Sequence, residues 1–183
     1  MESDSLRGRL LLASPALYDP NFRRTVVLVT EHTDDGAVAL VLNRPSETAV
    51  EDALPDLAGL VESGEPVYVG GPVQQSAVLV LAEFDDPSEA AEIVLGDVGF
   101  PRTDGPPEEL AAAMRRARVF AGYAGWGPGQ LEAELEEQSW LVEPAAGVDL
   151  FPERGEDLWA IVVNRKGGAH RALALMPEDP SLN

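Results

Sequence analysis

Apolar residues fall in short runs along this chain, and most runs are too continuous for a strand with one face in water. Leu10-Leu11-Leu12-Ala13, closed by Ser14-Pro15, predicts a buried strand, because Pro15 cannot continue a hydrogen-bonded ladder. Asp19-Pro20-Asn21-Phe22 predicts a turn. The β-branched runs at 25–30 and 37–42 flank Asp34-Asp35-Gly36, whose Asp-Gly pair accepts positive φ. Together they predict a hairpin covered on both faces.

Thr48-x-x-Glu51 has capping-box spacing and predicts a short helix that stops at Leu54-Pro55. Strands are expected at 67–69 and 78–81, joined through the tight turn Gly70-Gly71-Pro72. Residues 83–107, rich in Asp, Glu, Gly and Pro, read as the least regular part of the chain. Pro106-Pro107-Glu108-Glu109 then starts a helix that continues over 110–114, with proline and acid where the helix dipole favours them. A strand over 118–123 runs into Gly122-Tyr123-Ala124-Gly125-Trp126-Gly127-Pro128-Gly129-Gln130, followed by a helix carrying Leu131 and Leu135 and a strand at 140–142. Residues 158–163 fit helix or strand: their β-branched side chains favour a strand, and the approach through Glu156-Asp157 favours a helix. No repeat or linker divides the chain, so one α/β domain over residues 1–183 is expected.

Composition narrows the chemistry. With 45% apolar and 25% charged residues the chain is globular rather than disordered. No apolar run reaches the roughly 20 residues that span a bilayer, and Met1-Glu2-Ser3-Asp4-Ser5 lacks the basic and apolar parts of a signal peptide. The expectation is a cytoplasmic protein with no membrane partner. The absence of cysteine excludes disulfides, thiolate zinc sites, iron–sulfur clusters and a cysteine nucleophile. Only His32 and His170 supply imidazole. Positive charge is almost all arginine; Lys166 is the one lysine, and Arg165-Lys166-Gly167-Gly168 has the wrong order for a phosphate loop. A formal charge of −19, from 32 acidic and 13 basic side chains, repels a phosphate backbone and argues against direct DNA binding.

Four places could still carry chemistry. The glycine-rich segment 122–130 lies between a strand and a helix, where N–H groups can face an anion. Its Gly125-x-Gly127-x-Gly129 spacing is not the dinucleotide fingerprint. It is either a structural turn, with Pro128 in the first helical turn and Tyr123 and Trp126 in the core, or a pocket for an anion or peptide; either way a side chain at Gly127 or Gly129 should do harm. Arg23 and Arg24 beside the first turn read as a structural ion pair, with Asp19 or another carboxylate, or as an anion site. Glu31-His32 with Asp34-Asp35 reads as solubilising loop residues or as an acid/base or metal pair. Lacking a third imidazole or a thiolate, it predicts no metal, and no Gly-x-Ser-x-Gly elbow is present. Asn43 can cap a strand end, and Arg44 can reach a neighbouring turn.

Four separated segments resemble the YqgE/AlgH family. They are Gly8-Arg9-Leu10-Leu11-Leu12-Ala13-Ser14-Pro15 with Asp19-Pro20-Asn21-Phe22-Arg23-Arg24-Thr25-Val26; Glu31-His32 through Gly36 to Leu40-Val41-Leu42-Asn43-Arg44-Pro45; Val67-Tyr68-Val69-Gly70-Gly71-Pro72-Val73; and Gly122 to Glu132. The likeness extends to the tail Asp179-Pro180-Ser181-Leu182-Asn183. It implies a bacterial α/β domain with bifurcated, coiled, mostly antiparallel sheets packed by short helices. The family's frequent label of transcriptional regulator is tied to no DNA-binding motif. Two positions depart from the family pattern: Ala39, where glycine is usual, and Leu81-Ala82, where a Leu-His pair often follows the Gly-Gly-Pro turn. The second removes an imidazole and weakens an enzymatic reading.

The resulting expectation is a binding or regulatory module, acting in gene regulation through a protein partner or a small anionic ligand, with no cofactor, metal or catalytic residue. Its binding site is expected where three turns meet, from Arg24, Asn43, Arg44, Gly70, Gly71, Tyr123, Trp126, Gly127, Gly129 and Gln130. The competing expectation is a hydrolase or transferase that acts on an anionic small molecule through Glu31, His32 and Arg44. Self-repulsion at −19 gives a first testable consequence. Sodium chloride screens it over a Debye length of about 10 Å at 0.1 M, so Tm should rise between low and moderate salt. A Tm that stays flat or falls in a calorimetric series would show that the charge is offset locally.

Overall fold

The computed structural model describes residues 4–15, 17, 19–153 and 155–166; His170 and the tail segment 179–183 lie outside them. The described strands are β1 (Arg9–Ala13), β2 (Val26–Thr33), β3 (Gly36–Val41), β4 (Pro45–Ala49), β5 (Pro66–Val69), β6 (Val73–Phe84), β7 (Ala90–Leu95), β8 (Val98–Pro101), β9 (Met114–Trp126) and β10 (Trp140–Pro144). The helices are α1 (Val50–Ala53), α2 (Pro107–Ala113), α3 (Gln130–Glu136), α4 (Gly147–Leu150) and α5 (Leu158–Lys166), with short 3-10 helices at Pro55–Leu60, Pro87–Glu89 and Gly155–Asp157. The architecture is mixed α/β with mostly antiparallel strands, as expected. Two compact units carry it: one built from the described residues up to 43 and from 125 onward, the other from residues 44–124.

In the first unit the strands lie in the antiparallel order β10-β1-β2-β3. Leu10, Leu11, Leu12 and the four residues Val26, Val27, Leu28 and Val29 are all fully buried. Both faces of these strands are therefore covered, which is the physical meaning of their unbroken apolarity. Each such side chain contributes about 1.5–3 kcal/mol by leaving water. The expected hairpin turns at Asp34-Asp35, with Gly36 at φ +132°. Strand β2 runs on to Thr33, so Glu31 and His32 belong to the strand and not to a solubilising loop. The ambiguity at 158–163 resolves as helix α5. Leu158, Trp159, Val162 and Val163 are buried while Ile161 is exposed, a 3.6-residue repeat that outweighs the β-branched preference. The Trp159 indole donates to the Ala13 carbonyl at 2.9 Å, and buried Asp149 accepts from the Arg165 guanidinium at 2.8 Å.

The second unit orders its strands β4-β5-β9-β6-β8-β7, with β5–β9 parallel and the other pairs antiparallel. Its core includes one cluster on Val50, Val67 and Val119 and another on Ala82, Phe84 and Ala117. Three expectations need correction here. Thr48 lies in β4 and caps nothing; α1 begins at Val50 after Ala49, without a side-chain cap, and the Val50 N–H is bonded to the Glu65 carbonyl at 2.9 Å instead. Residues 83–107 are not irregular, because β7 and β8 form a hairpin through Gly96-Asp97 in which Val94 and Val98 are buried. Met114 opens β9 opposite Phe84 and does not extend α2.

Strand β9 starts before and runs beyond the expected 118–123, from Met114 to Trp126. Its pairing with β6 jumps from Val73↔Tyr123 to Val78↔Ala121, and Gly122 absorbs the jump at φ +74°. The Gly-Gly-Pro turn crosses this point closely: a Cβ built on Gly71 would sit 2.1 Å from the Tyr123 carbonyl carbon. Backbone cannot retreat there as a flexible side chain could. Gly71→Ala should therefore destabilise the chain by about 1–3 kcal/mol in denaturant titration. Gly105→Ala, whose nearest neighbour is a side-chain oxygen 3.8 Å away, should stay within about 0.5 kcal/mol. Equal effects would disprove the crossing constraint.

Candidate functional site

The first turn presents a phenylalanine. The Asp19 carbonyl accepts from the Phe22 and Arg23 N–H groups, and its carboxylate accepts from the Asn21 N–H at 2.9 Å. Phe22 is thereby placed against two tryptophans, 6.3 Å from Trp126 and edge-on to Trp140 at 5.6 Å, while the indoles meet each other at 6.0 Å. Both tryptophans are buried, so both indole N–H groups need acceptors. One carboxylate serves both: Glu134 of α3 accepts from Trp126 Nε1 at 2.5 Å and from Trp140 Nε1 at 3.0 Å.

The glycine-rich turn leads directly into this cluster. Gly129 precedes α3 in the left-handed region at φ +75°, which explains glycine at that position. Gly127 has no such φ, and a Cβ there would meet nothing within 4 Å, so the strain expected at this position is absent. Its N–H donates to Gln130 Oε1 at 3.1 Å, and its carbonyl accepts from the Gln130 N–H. Pro128 lies before α3, not in its first turn. Gly36 of the hairpin packs under the same segment, where a Cβ would come within 2.1 Å of the Trp126 carbonyl oxygen.

His32 lies at the other edge of α3. Its side chain is 5% exposed; Nδ1 accepts from the Leu6 N–H at 3.0 Å, and Nε2 faces Glu132 at 2.7 Å. Because Nδ1 accepts, the ring proton resides on Nε2 and donates to the carboxylate. The imidazole thus joins the segment before β1 to α3.

The sequence-derived candidates divide between the units. Arg24, Asn43, Trp126, Gly127, Gly129 and Gln130 are in the first, and Arg44, Gly70, Gly71 and Tyr123 in the second. Arg24 sits in the turn at φ +52°, before the strand begins, and its guanidinium lies over the Trp159 ring at 4.7 Å. Asn43 is buried, accepts from the Val26 N–H and donates to the Arg24 carbonyl, both at 2.9 Å. In the second unit the Arg44 carbonyl accepts from the Val69 N–H at 2.8 Å, Gly70 donates to the Ala121 carbonyl at 2.9 Å, and Tyr123 is half-buried beside Gly71. Arg118, which sequence reading passed over, is buried there, paired with Glu65 at 3.1 Å and lying 4.4 Å over the Tyr68 ring. Phe22, Glu132, Glu134 and Trp140 were also missed as site residues. The available signal was two tryptophans needing acceptors beside a helix with acids at 132 and 134. Among the described residues no group of three or more His, Asp or Glu side chains is arranged to hold a metal, and no helix is long and apolar enough to cross a membrane.

A family model described as AlgH-like matches residues 10–171. The chain belongs to the AlgH-like family. A UPF0301 protein of Streptomyces coelicolor is 46% identical, over 100% of this chain and 97% of its own length. One from Thermobifida fusca is 41% identical, over 100% of this chain and 98% of its own. Among solved structures, a Corynebacterium diphtheriae protein aligns with TM-score 0.85 at 26% identity, covering 94% of this chain and 93% of its own. The AlgH protein of Pseudomonas aeruginosa aligns with TM-score 0.73 at 31% identity, covering 97% of each chain. In this AlgH-like chain Ala39, Leu81 and Ala82 are fully buried strand positions.

The His32 hydrogen bond holds the Glu132 carboxyl below its ordinary value of 4.5. A carboxyl depressed in the folded state adds stability above its unfolded pKa and loses it as pH falls through the folded one. Glu132→Gln should therefore flatten the loss of stability below pH 4.5, by under about 1 kcal/mol because Glu132 is 42% exposed. Urea titrations of both chains between about pH 6 and pH 3 read this directly; parallel curves would show that the contact adds nothing.

Proposed function

We propose that this AlgH-like protein is a non-catalytic binding module that works through a protein partner, and that any role in gene regulation passes through that partner. The observation that carries the reading is the state of His32: both ring nitrogens bond to groups of the scaffold, and the side chain is almost wholly buried. A general base needs a nitrogen within reach of a substrate proton. A small anionic ligand is less favoured than a protein, because the Gly127 N–H and both ends of the Asn43 amide are bonded within the chain. The charge of −19 opposes duplex DNA and favours a basic protein surface.

The competing hydrolase or transferase reading is tested in the same experiment. Wild type and His32→Asn are assayed against a panel of phosphate and carboxylate esters, and their cross-linked protein partners in cells are compared. Neither chain should turn over an ester above the protein-free control, and both should capture the same partners. Ester turnover by wild type, lost in a folded His32→Asn chain, would overturn the proposal.

A further inference from the structure

A groove of about 680 Å³ lies in the second unit between the 3-10 helix Pro55–Leu60 and α2, lined by Asp56, Gly59, Leu60, Pro107, Glu108 and Ala111. Leu60 packs on the Ala82–Phe84–Ala117 cluster, so the apolar floor is anchored to the core and is present before anything binds. Asp56 and Glu108 form an exposed acidic rim. Neither carboxylate has a hydrogen-bond or ion-pair partner among the described residues.

The surroundings carry one sign of charge. Residues 45–101 contain no lysine or arginine, and neither do residues 103–114, whereas Asp52, Asp104 and Glu109 add carboxylates on the flanking segments. Of the next bases along the chain, Arg102 donates to the Ser88 carbonyl, while Arg115 pairs with Glu83, Asp85 and Asp97, Arg116 with Glu83, and Arg118 with Glu65. Opposite charge must therefore come from outside the groove. Two exposed carboxylates over an apolar floor suit a peptide better than a metal ion, which needs more oxygen ligands.

We propose that this groove docks a basic segment of a protein partner, placing an apolar side chain on Leu60, Pro107 and Ala111 and flanking Lys or Arg residues against Asp56 and Glu108. The proposal rests on the reading of the chain as a protein-binding module and names the surface and the partner chemistry. A longer aliphatic side chain fits the floor, because Gly59 leaves open space where a Cβ would meet nothing within 4 Å.

The test uses the full chain and fluorescence anisotropy with a labelled Lys-Arg-Leu-Leu-Arg-Lys peptide, its Gly-Gly counterpart serving as control. Wild type should bind the leucine probe more tightly than the glycine probe, with affinity falling as salt rises. Asp56→Asn with Glu108→Gln should weaken binding by about five-fold. Ala111→Lys, which places a like charge in the groove, should weaken it further, while Glu136→Gln with Glu137→Gln, exposed at the C-terminal end of α3, should change it little. Melting curves confirm that each variant is folded. Absence of wild-type binding, equal binding of both probes, or equal loss in the α3 variant would overturn the groove. Ester turnover lost with His32 is a separate outcome, and it would overturn the binding-module reading instead.

Discussion

Two buried indole N–H groups on one carboxylate are the constraint around which the first unit's motif segments are arranged. Trp126 ends β9 and Trp140 begins β10, so a single acceptor can reach both only if the intervening chain folds back as α3 and presents Glu134. Leaving either donor unpaired would cost about 1–3 kcal/mol, and a charged acceptor makes stronger hydrogen bonds than a neutral one. The left-handed Gly129, the Gln130 bracket on Gly127 and the close seat of Gly36 under Trp126 all follow from bringing that helix back over so short a connection.

The same economy shows in the polar residues that look chemical from their spacing, which bond to the scaffold. Asn43 ties the chain after β3 to the turn before β2, and His32 ties the segment before β1 to α3. Arg24 covers the Trp159 ring. In the second unit Arg115, Arg116 and Arg118 are drawn into carboxylate pairs. Acids outnumber bases 32 to 13, so pairing exhausts the cations first and leaves carboxylates over. The Asp56–Glu108 groove is one place where the surplus borders apolar surface and so acquires a direction for binding.

Much of the secondary structure was legible because it depends on local causes. Apolar runs marked β1, β2, β3 and β5, the Asp-Gly pair marked the hairpin turn, and Pro-Pro-Glu-Glu marked the start of α2. The misses share a cause as well. The β7–β8 hairpin is held by cross-strand pairing that acidic and glycine neighbours disguise, and Thr48 lost its capping role because strand β4 continued through it.

The sequence by itself determined the class of the fold, the buried strands and the acid surplus, since these depend on side-chain volume, periodicity and charge read one residue at a time. Which polar residues belong together was decided only in three dimensions. Glu134 lies eight residues from Trp126 and six from Trp140, whereas His32 meets Glu132 a hundred residues away. A hydrogen-bond partner is defined by distance and angle in space, and linear spacing carries that information only within a turn or a helix.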